Sequence, residues 1–323
     1  MIKTNLHKPT QTILNRCQAL LDQLYGNNQR KPGIQNAKDA ILVLIAEKEN
    51  QDLGFVWLYE NTYHPENLFL GNYQCVDEPE AAQSLLQACE TFALNENFRA
   101  LVGPMCGNTW YGYRFSTSVE HFFFLESVHK EEYVQQWMQN GFHVSAEYQS
   151  NTERFNTQTD YSGYAAFLEE KNLVLRPFDL TQPEDELRLL WPFCNELFAN
   201  NVYFSPISED DFIALYQPLL PLFDPRFVSF VMDGASLVGL FFALPDPYVP
   251  GQIVVKTVAR NPDNKYRGLA HVMAAHFCHS AIEAGFTSMV HAYFHIDNRS
   301  SNLSKNFGGQ LLKKHVLLQK PIG

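Results

Sequence analysis

The chain has 323 residues, 46% of them apolar and 14% aromatic, and carries a net charge of −11. That length and composition suit one large domain or two ordinary ones with a substantial core, and they exclude a disordered chain. An acidic balance without a basic tract argues against wrapping nucleic acid or coating an anionic membrane, so neither is expected as a partner.

The charge is uneven. Between Lys256 and Lys320 nine basic and three acidic residues make a segment of +6, which leaves −17 for the rest. Such a segment is either a solvated basic face or the seat of a polyanionic small ligand. The first residues, Met1 to Leu6, open no signal-like apolar run, and the most apolar stretch, 236–245, is far shorter than the roughly 20 residues of a membrane span. Six scattered cysteines without a Cys-x-x-Cys pair point to reduced thiols and a cytoplasmic location.

In chain order, apolar runs predict a hairpin of strands 40–46 and 53–59 across a polar turn at 47–52, then a strand at 68–76. Residues 78–96 carry Ala82, Leu85, Leu86, Cys89 and Phe92 at helical spacing behind an acidic first turn, and 98–102 read as a buried strand. Phe122-Phe123-Phe124 read as another. The order then recurs: a strand at 173–178, helices at 184–197 and 210–220, a hairpin of 227–232 and 237–243, a strand at 253–259, a helix at 268–284 and a strand at 287–293. Gly54 and Phe98 stand 44 residues apart, and their counterparts Gly239 and Phe286 stand 47 apart. Matching order and spacing predict an internal duplication with halves 1–170 and 171–323, joined near residue 170 in the polar stretch after Tyr148. The fold class is mixed α/β: two tandem units, each a mostly antiparallel sheet flanked by helices.

Residues 254–275, V-V-K-T-V-A-R-N-P-D-N-K-Y-R-G-L-A-H-V-M-A-A, run from a strand through a loop into a helix starting near Gly268. This is the chemistry of an anion site. Unsatisfied amides and the helix dipole converge on the loop, Gly268 and Ala270 admit a close ligand, and Lys265, Arg267 and Arg260 add charge. The alternative is a strand–helix turn whose small residues serve packing.

The run Pro262 to Ala270 resembles the acetyl-CoA pyrophosphate loop of the GNAT superfamily of N-acetyltransferases, in the pattern Gln/Arg-x-x-Gly-x-Gly/Ala, with Lys265 in the first place. The order of elements in the second half is similar to that family throughout, as in its bacterial two-domain members. The resemblance implies an acetyl-CoA-dependent acyltransferase that acetylates a small-molecule or peptide amine. It implies that the backbone of Val258, Ala259 and Arg260 pairs with the pantetheine, that the amides of Tyr266, Arg267, Gly268, Leu269, Ala270 and His271 hold the pyrophosphate, and that Asn298 contacts the pantetheine arm. The tyrosine that the family often uses to protonate the leaving thiolate has no counterpart at its usual spacing after Asn298, so Tyr293, His295 and Ser301 stand in as catalytic candidates. A different acyl donor, or a CoA-binding module without catalysis, is the alternative.

The first half has the carboxylates Asp77, Glu78 and Glu80 where the phosphate loop would fall, a charge hostile to pyrophosphate. It is expected to be a degenerate copy. The loop 103–115, with three glycines, four aromatic residues and Arg114, either packs between the halves or makes a substrate wall in which Trp110, Tyr111 and Tyr113 face a cation. His271, His276, Cys278 and His279 have no zinc-ligand spacing, and no metal is expected.

Overall fold

A computed structural model describes residues 1–26, 30–120, 122–156, 163–296 and 304–323. The first half opens with β1 (Lys3–His7) and α1 (Gln11–Tyr25), followed by the hairpin β2 (Ala40–Lys48) and β3 (Gln51–Tyr59). Glu49 and Asn50 both take positive φ (53° and 66°), so the hairpin closes through a two-residue turn of the kind that matches strand twist. The strands are therefore longer, and the turn shorter, than polarity alone predicts. Next come β4 (Asn67–Cys75), α2 (Pro79–Asn95), β5 (Ala100–Gly103), the short β6 (Phe115–Ser116), α3 (Tyr133–Gln139) and β7 (His143–Arg154).

The second half comprises α4 (Tyr164–Lys171), β8 (Val174–Pro177), α5 (Pro183–Phe198), α6 (Glu209–Tyr216), β9 (Val228–Asp233), β10 (Ser236–Pro245), β11 (Gln252–Arg260), α7 (Leu269–Glu283), β12 (Ser288–His295) and β13 (Gln310–Pro321). All the strands join one mixed sheet in the order β1-β2-β3-β4-β5-β13-β7-β12-β11-β10-β9-β8, with β6 beside β13. The order is palindromic about its middle. β4 and β5 run parallel, as do β11 and β12, and the remaining neighbours are antiparallel. Each half's last strand lies against the other half's fifth: β13 pairs β5, and β7 pairs β12.

The paired glycines mark this repeat physically. A Cβ on Gly54 would meet Leu85 of α2 at 2.8 Å, and one on Gly239 would meet Met273 of α7 at 2.9 Å. Each glycine lets the crossover helix press onto its hairpin strand. In the second half the helix then seats Leu269, Met273 and Phe277 on Phe241 and Val255, with Phe241 and Phe277 stacked at 4.5 Å.

Two expectations are corrected. Phe122, Phe123 and Phe124 are not a strand but an irregular segment whose Phe123 ring is buried. The first polar residues after Tyr148, 149–154, are not part of a junction: they belong to β7, in the middle of the sheet. Its fully buried Ser150 and Asn151 side chains are paired there. Ser150 hydrogen-bonds His315 of β13 at 2.9 Å, and Asn151 donates to Ser304 at 2.9 Å. All six cysteines are buried, and no disulfide joins them. No helix among the described residues is long and apolar enough to cross a membrane.

Candidate functional site

β11 and β12 are hydrogen-bonded only from Gln252–Ser288 to Val255–His291, and beyond that point they part. The cause is local. The register of β10 on β11 slips between Phe242 and Ala243, so Lys256 is an extra residue that bends β11 away from β12. On the other side, the register of β12 on β7 slips between His291 and Phe294, where Tyr293 takes a left-handed φ of 58°. The strands open a cleft of about 1150 Å³ that reaches from the α7 N-terminus to the loop 109–114 of the first half.

At one end of the cleft stand Thr257, Val258, Ala259 and Arg260, paired to β10 on one edge and open to the cleft on the other. Arg260 folds its guanidinium onto the carbonyls of Asn261 (2.6 Å) and Asp263 (3.2 Å), fixing the loop that follows. Gly268 has φ +97° and caps α7. The amides of Tyr266, Arg267 and His271 are spent on backbone carbonyls within the loop and first turn. Those of Gly268, Leu269 and Ala270 have no acceptor among the described residues. The expected span of six amides thus narrows to three, at a helix N-terminus where an anion is favoured.

The side chains divide. Arg267, Gly268, Ala270 and His271 line the cleft. Lys265 does not: its ammonium and the Tyr266 hydroxyl (2.7 Å) both bind Asp233 at the end of β9, and Leu269 is buried in the core. Among the catalytic candidates, Tyr293 lines the cleft, but its hydroxyl donates to the Leu125 carbonyl at 3.3 Å and burial pushes its pKa well above 10. His295 stands edge-on to Tyr148 at 5.3 Å and is not among the residues lining the cleft. Asn298 and Ser301 lie outside the described residues.

The aromatic loop reaches the cleft from the first half, and Trp110, Tyr111 and Tyr113 all line it. Trp110 sits mainly among rings of the second half, Phe198, Phe204 and Phe212, and donates its indole N–H to the Ser205 carbonyl at 3.0 Å. Tyr113 does face a cation, the guanidinium of its neighbour Arg114, at 3.8 Å.

Sequence reasoning missed a second charged part of the cleft. Arg114 (φ +70°) lies over Tyr113, Tyr148 and Tyr293, and Lys256 lies 4.2 Å from the centre of the same Tyr293 ring. Burial, then the nearby Arg114, lowers the Lys256 pKa to about 7. Behind them Lys313 and Glu126 make an ion pair at 3.1 Å, both side chains 2% exposed. Burial raises Glu126 and lowers Lys313, each opposed by its partner. The bulged lysine gave no sequence signal, whereas an arginine among tyrosines in a glycine-rich loop did.

The first half has a smaller opening at the matching place, about 280 Å³, lined among others by Asn72, Tyr73, Gln74, Pro104 and Cys106. β4 and β5 also part, beyond Phe69 and Val102, and the register of β3 on β4 also slips, between Phe55 and Trp57. The gap is narrowed. Gly71 touches Cys106, and α3 lays Tyr133 and Trp137 into the core. The Cys75 amide donates to the Tyr133 hydroxyl at 3.1 Å, and Gln136 donates to the Val76 carbonyl at 3.2 Å. The strand edge that is open in β11 is thus taken in β4. Among the described residues no cluster of three His, Cys, Asp or Glu could hold a metal.

No protein-family model and no curated protein sequence matches the chain. Solved structures do. A GCN5-related N-acetyltransferase from Sphaerobacter thermophilus aligns with a TM-score of 0.55 at 11% identity, over 99% of this chain and 96% of that one. A tandem GNAT protein from the clavulanic acid biosynthesis pathway aligns with a TM-score of 0.58 at 9% identity, over 100% and 99%. A GCN5-related N-acetyltransferase from Anabaena variabilis aligns with a TM-score of 0.57 at 9% identity, over 99% and 73%. At these identities the likeness is one of fold, and the fold of this chain is that of the GCN5-related N-acetyltransferases, used twice in tandem.

Proposed function

We propose that the chain is an acetyl-CoA-dependent N-acetyltransferase whose second half binds the cofactor. The observation that carries this reading is the opening between β11 and β12, edged by the unpaired side of β11 and ending at the three unsatisfied amides of α7. A pantetheine arm would extend the sheet along Val258–Arg260, and the pyrophosphate would take the amides of Gly268, Leu269 and Ala270, with Arg267 beside them. The thioester would then lie where the strands part. There a neutral amine attacks its carbonyl carbon, the C–S bond breaks, the amine loses one proton and the CoA thiolate gains one. The acceptor would be a small-molecule or peptide amine. The first half, its own gap narrowed by α3, would act as a degenerate copy that supplies the far wall of the cleft, and the buried, unbridged cysteines suit a cytoplasmic protein.

A thermal unfolding experiment tests the cofactor. Acetyl-CoA at a hundred times its Kd should stabilise the folded state by about 2.7 kcal/mol. Gly268→Glu should abolish that shift by placing bulk and negative charge at the phosphate. No shift at saturating acetyl-CoA in the unmodified protein would count against the reading. A CoA-binding module without catalysis is favoured by one observation, the engagement of the Tyr293 hydroxyl by Leu125. Thiol release from acetyl-CoA with a broad amine panel separates the two.

A further inference from the structure

Arg114 and Lys256 reach the cleft from opposite halves of the chain and meet at one ring. Their distances to the Tyr293 ring centre are 4.0 and 4.2 Å. The Nη1 atom of Arg114 is buried without a hydrogen-bond partner, and Lys256 makes no hydrogen bond or ion pair among the described residues. The tyrosine faces soften the charge but offer no acceptor in line with an N–H. Glu126, the carboxylate close enough to act on Lys256, spends both oxygens on Lys313 and one also on the Phe123 amide. One guanidinium nitrogen is thus buried with no anion to answer it, beside a lysine that has no ion pair either, an arrangement that costs stability unless a partner arrives.

The cofactor's phosphates do not supply that partner. Lys256 precedes Arg260 by four residues of strand, about 13 Å of rise, so the pair stands at the parting of the strands and not at the α7 N-terminus. Its place is where the reacting ends of donor and acceptor meet. We propose that Arg114 and Lys256 form a carboxylate subsite, which holds a substrate carboxylate close to the thioester, with the fork of Arg114 as the main contact. This rests on the acyltransferase reading. The carboxylate belongs either to the acceptor, as an amino acid, or to the acyl chain, as in a dicarboxylic acyl-CoA. The depressed Lys256 is consistent with a site short of one negative charge.

Calorimetric titration of the whole chain distinguishes the sources. One arm uses pairs of amino acids and their amides, of increasing chain length, with CoA present; the other uses succinyl-CoA against acetyl-CoA. At least one carboxylate ligand should bind tenfold or more tightly than its neutral counterpart. That preference should collapse in Arg114→Gln and shrink in Lys256→Met, the second variant guarding against misfolding of the first. The proposal is overturned if no pair shows the preference, or if it survives in both variants. If an amino acid binds through Arg114 while neither acyl-CoA binds, the subsite stands and the acetyltransferase reading falls.

Discussion

At the scale of single residues, two buried histidines, His129 and His315, are kept neutral by the fold. The Ser116 amide donates to His129 Nε2 at 2.8 Å, and His129 Nδ1 lies 2.9 Å from the Lys130 carbonyl, roles that only the neutral ring fills together. Burial pushes His129 down to about 4, and burial with the nearby Arg114 pushes His315 down to about 2. Both pKa values are depressed, so below about 6.5 the unfolded chain takes protons that the folded chain refuses. The stability present above that pH is therefore lost as pH falls, through about 4 for His129 and on toward 2 for His315. Each group contributes a slope of about 1.4 kcal/mol per pH unit while only the unfolded state is protonated. Urea unfolding between pH 7 and 4.5 should show this decline, and His315→Gln should make it shallower. An unchanged slope in that variant would assign the decline to other groups.

At the scale of elements, the repeat was legible because its signals are local. Runs of apolar residues and a glycine under each crossover helix placed the hairpins, α2 and α7 close to where they lie. The phosphate-loop pattern marked one end of the cleft for the same reason: loop, glycine and helix are contiguous. What was not legible is non-local. β7 reads Tyr148-Gln149-Ser150-Asn151-Thr152-Glu153-Arg154, and a polar run becomes a buried strand only because β13, β12 and Ser304 supply partners. α1 was legible but unread, since Ile13, Cys17, Leu20 and Leu21 follow helical spacing behind the capping Thr10. Lys256 is invisible as a site until the bulge is seen. The two hairpin glycines also differ in a testable way. A Cβ on Gly54 meets the Gln74 carbonyl at 2.9 Å as well as Leu85, whereas the closest contact at Gly239 is the movable thioether of Met273. Gly54→Ala should therefore destabilise by about 1–3 kcal/mol, and Gly239→Ala by clearly less, as read from urea midpoints. Equal effects would contradict the backbone contact as the cause.

At the scale of the molecule, the exchange of last strands makes the halves interdependent. β5 without β13, or β12 without β7, would present a bare edge. Residues 1–170 and 171–323 expressed separately should each lack cooperative unfolding, while the whole chain should unfold in one transition, coincident by tryptophan fluorescence and circular dichroism. Two resolved transitions would show that the halves hold together independently. The same architecture explains why the cleft is shared: the sheet is continuous through β13 and β7, so the loop carrying Arg114 is set against the second half's parting strands.

The pairing of Ala100–Gly103 with Leu318–Pro321 has a further consequence in time. During synthesis β5 emerges early, yet its neighbour is made only after the whole second half. The first half must wait on the ribosome with an unpaired edge, and contacts of such long sequence separation close slowly. Birth of this protein is therefore its most aggregation-prone moment, and a cell that makes it quickly would rely on chaperones to keep that edge covered until the final strand arrives.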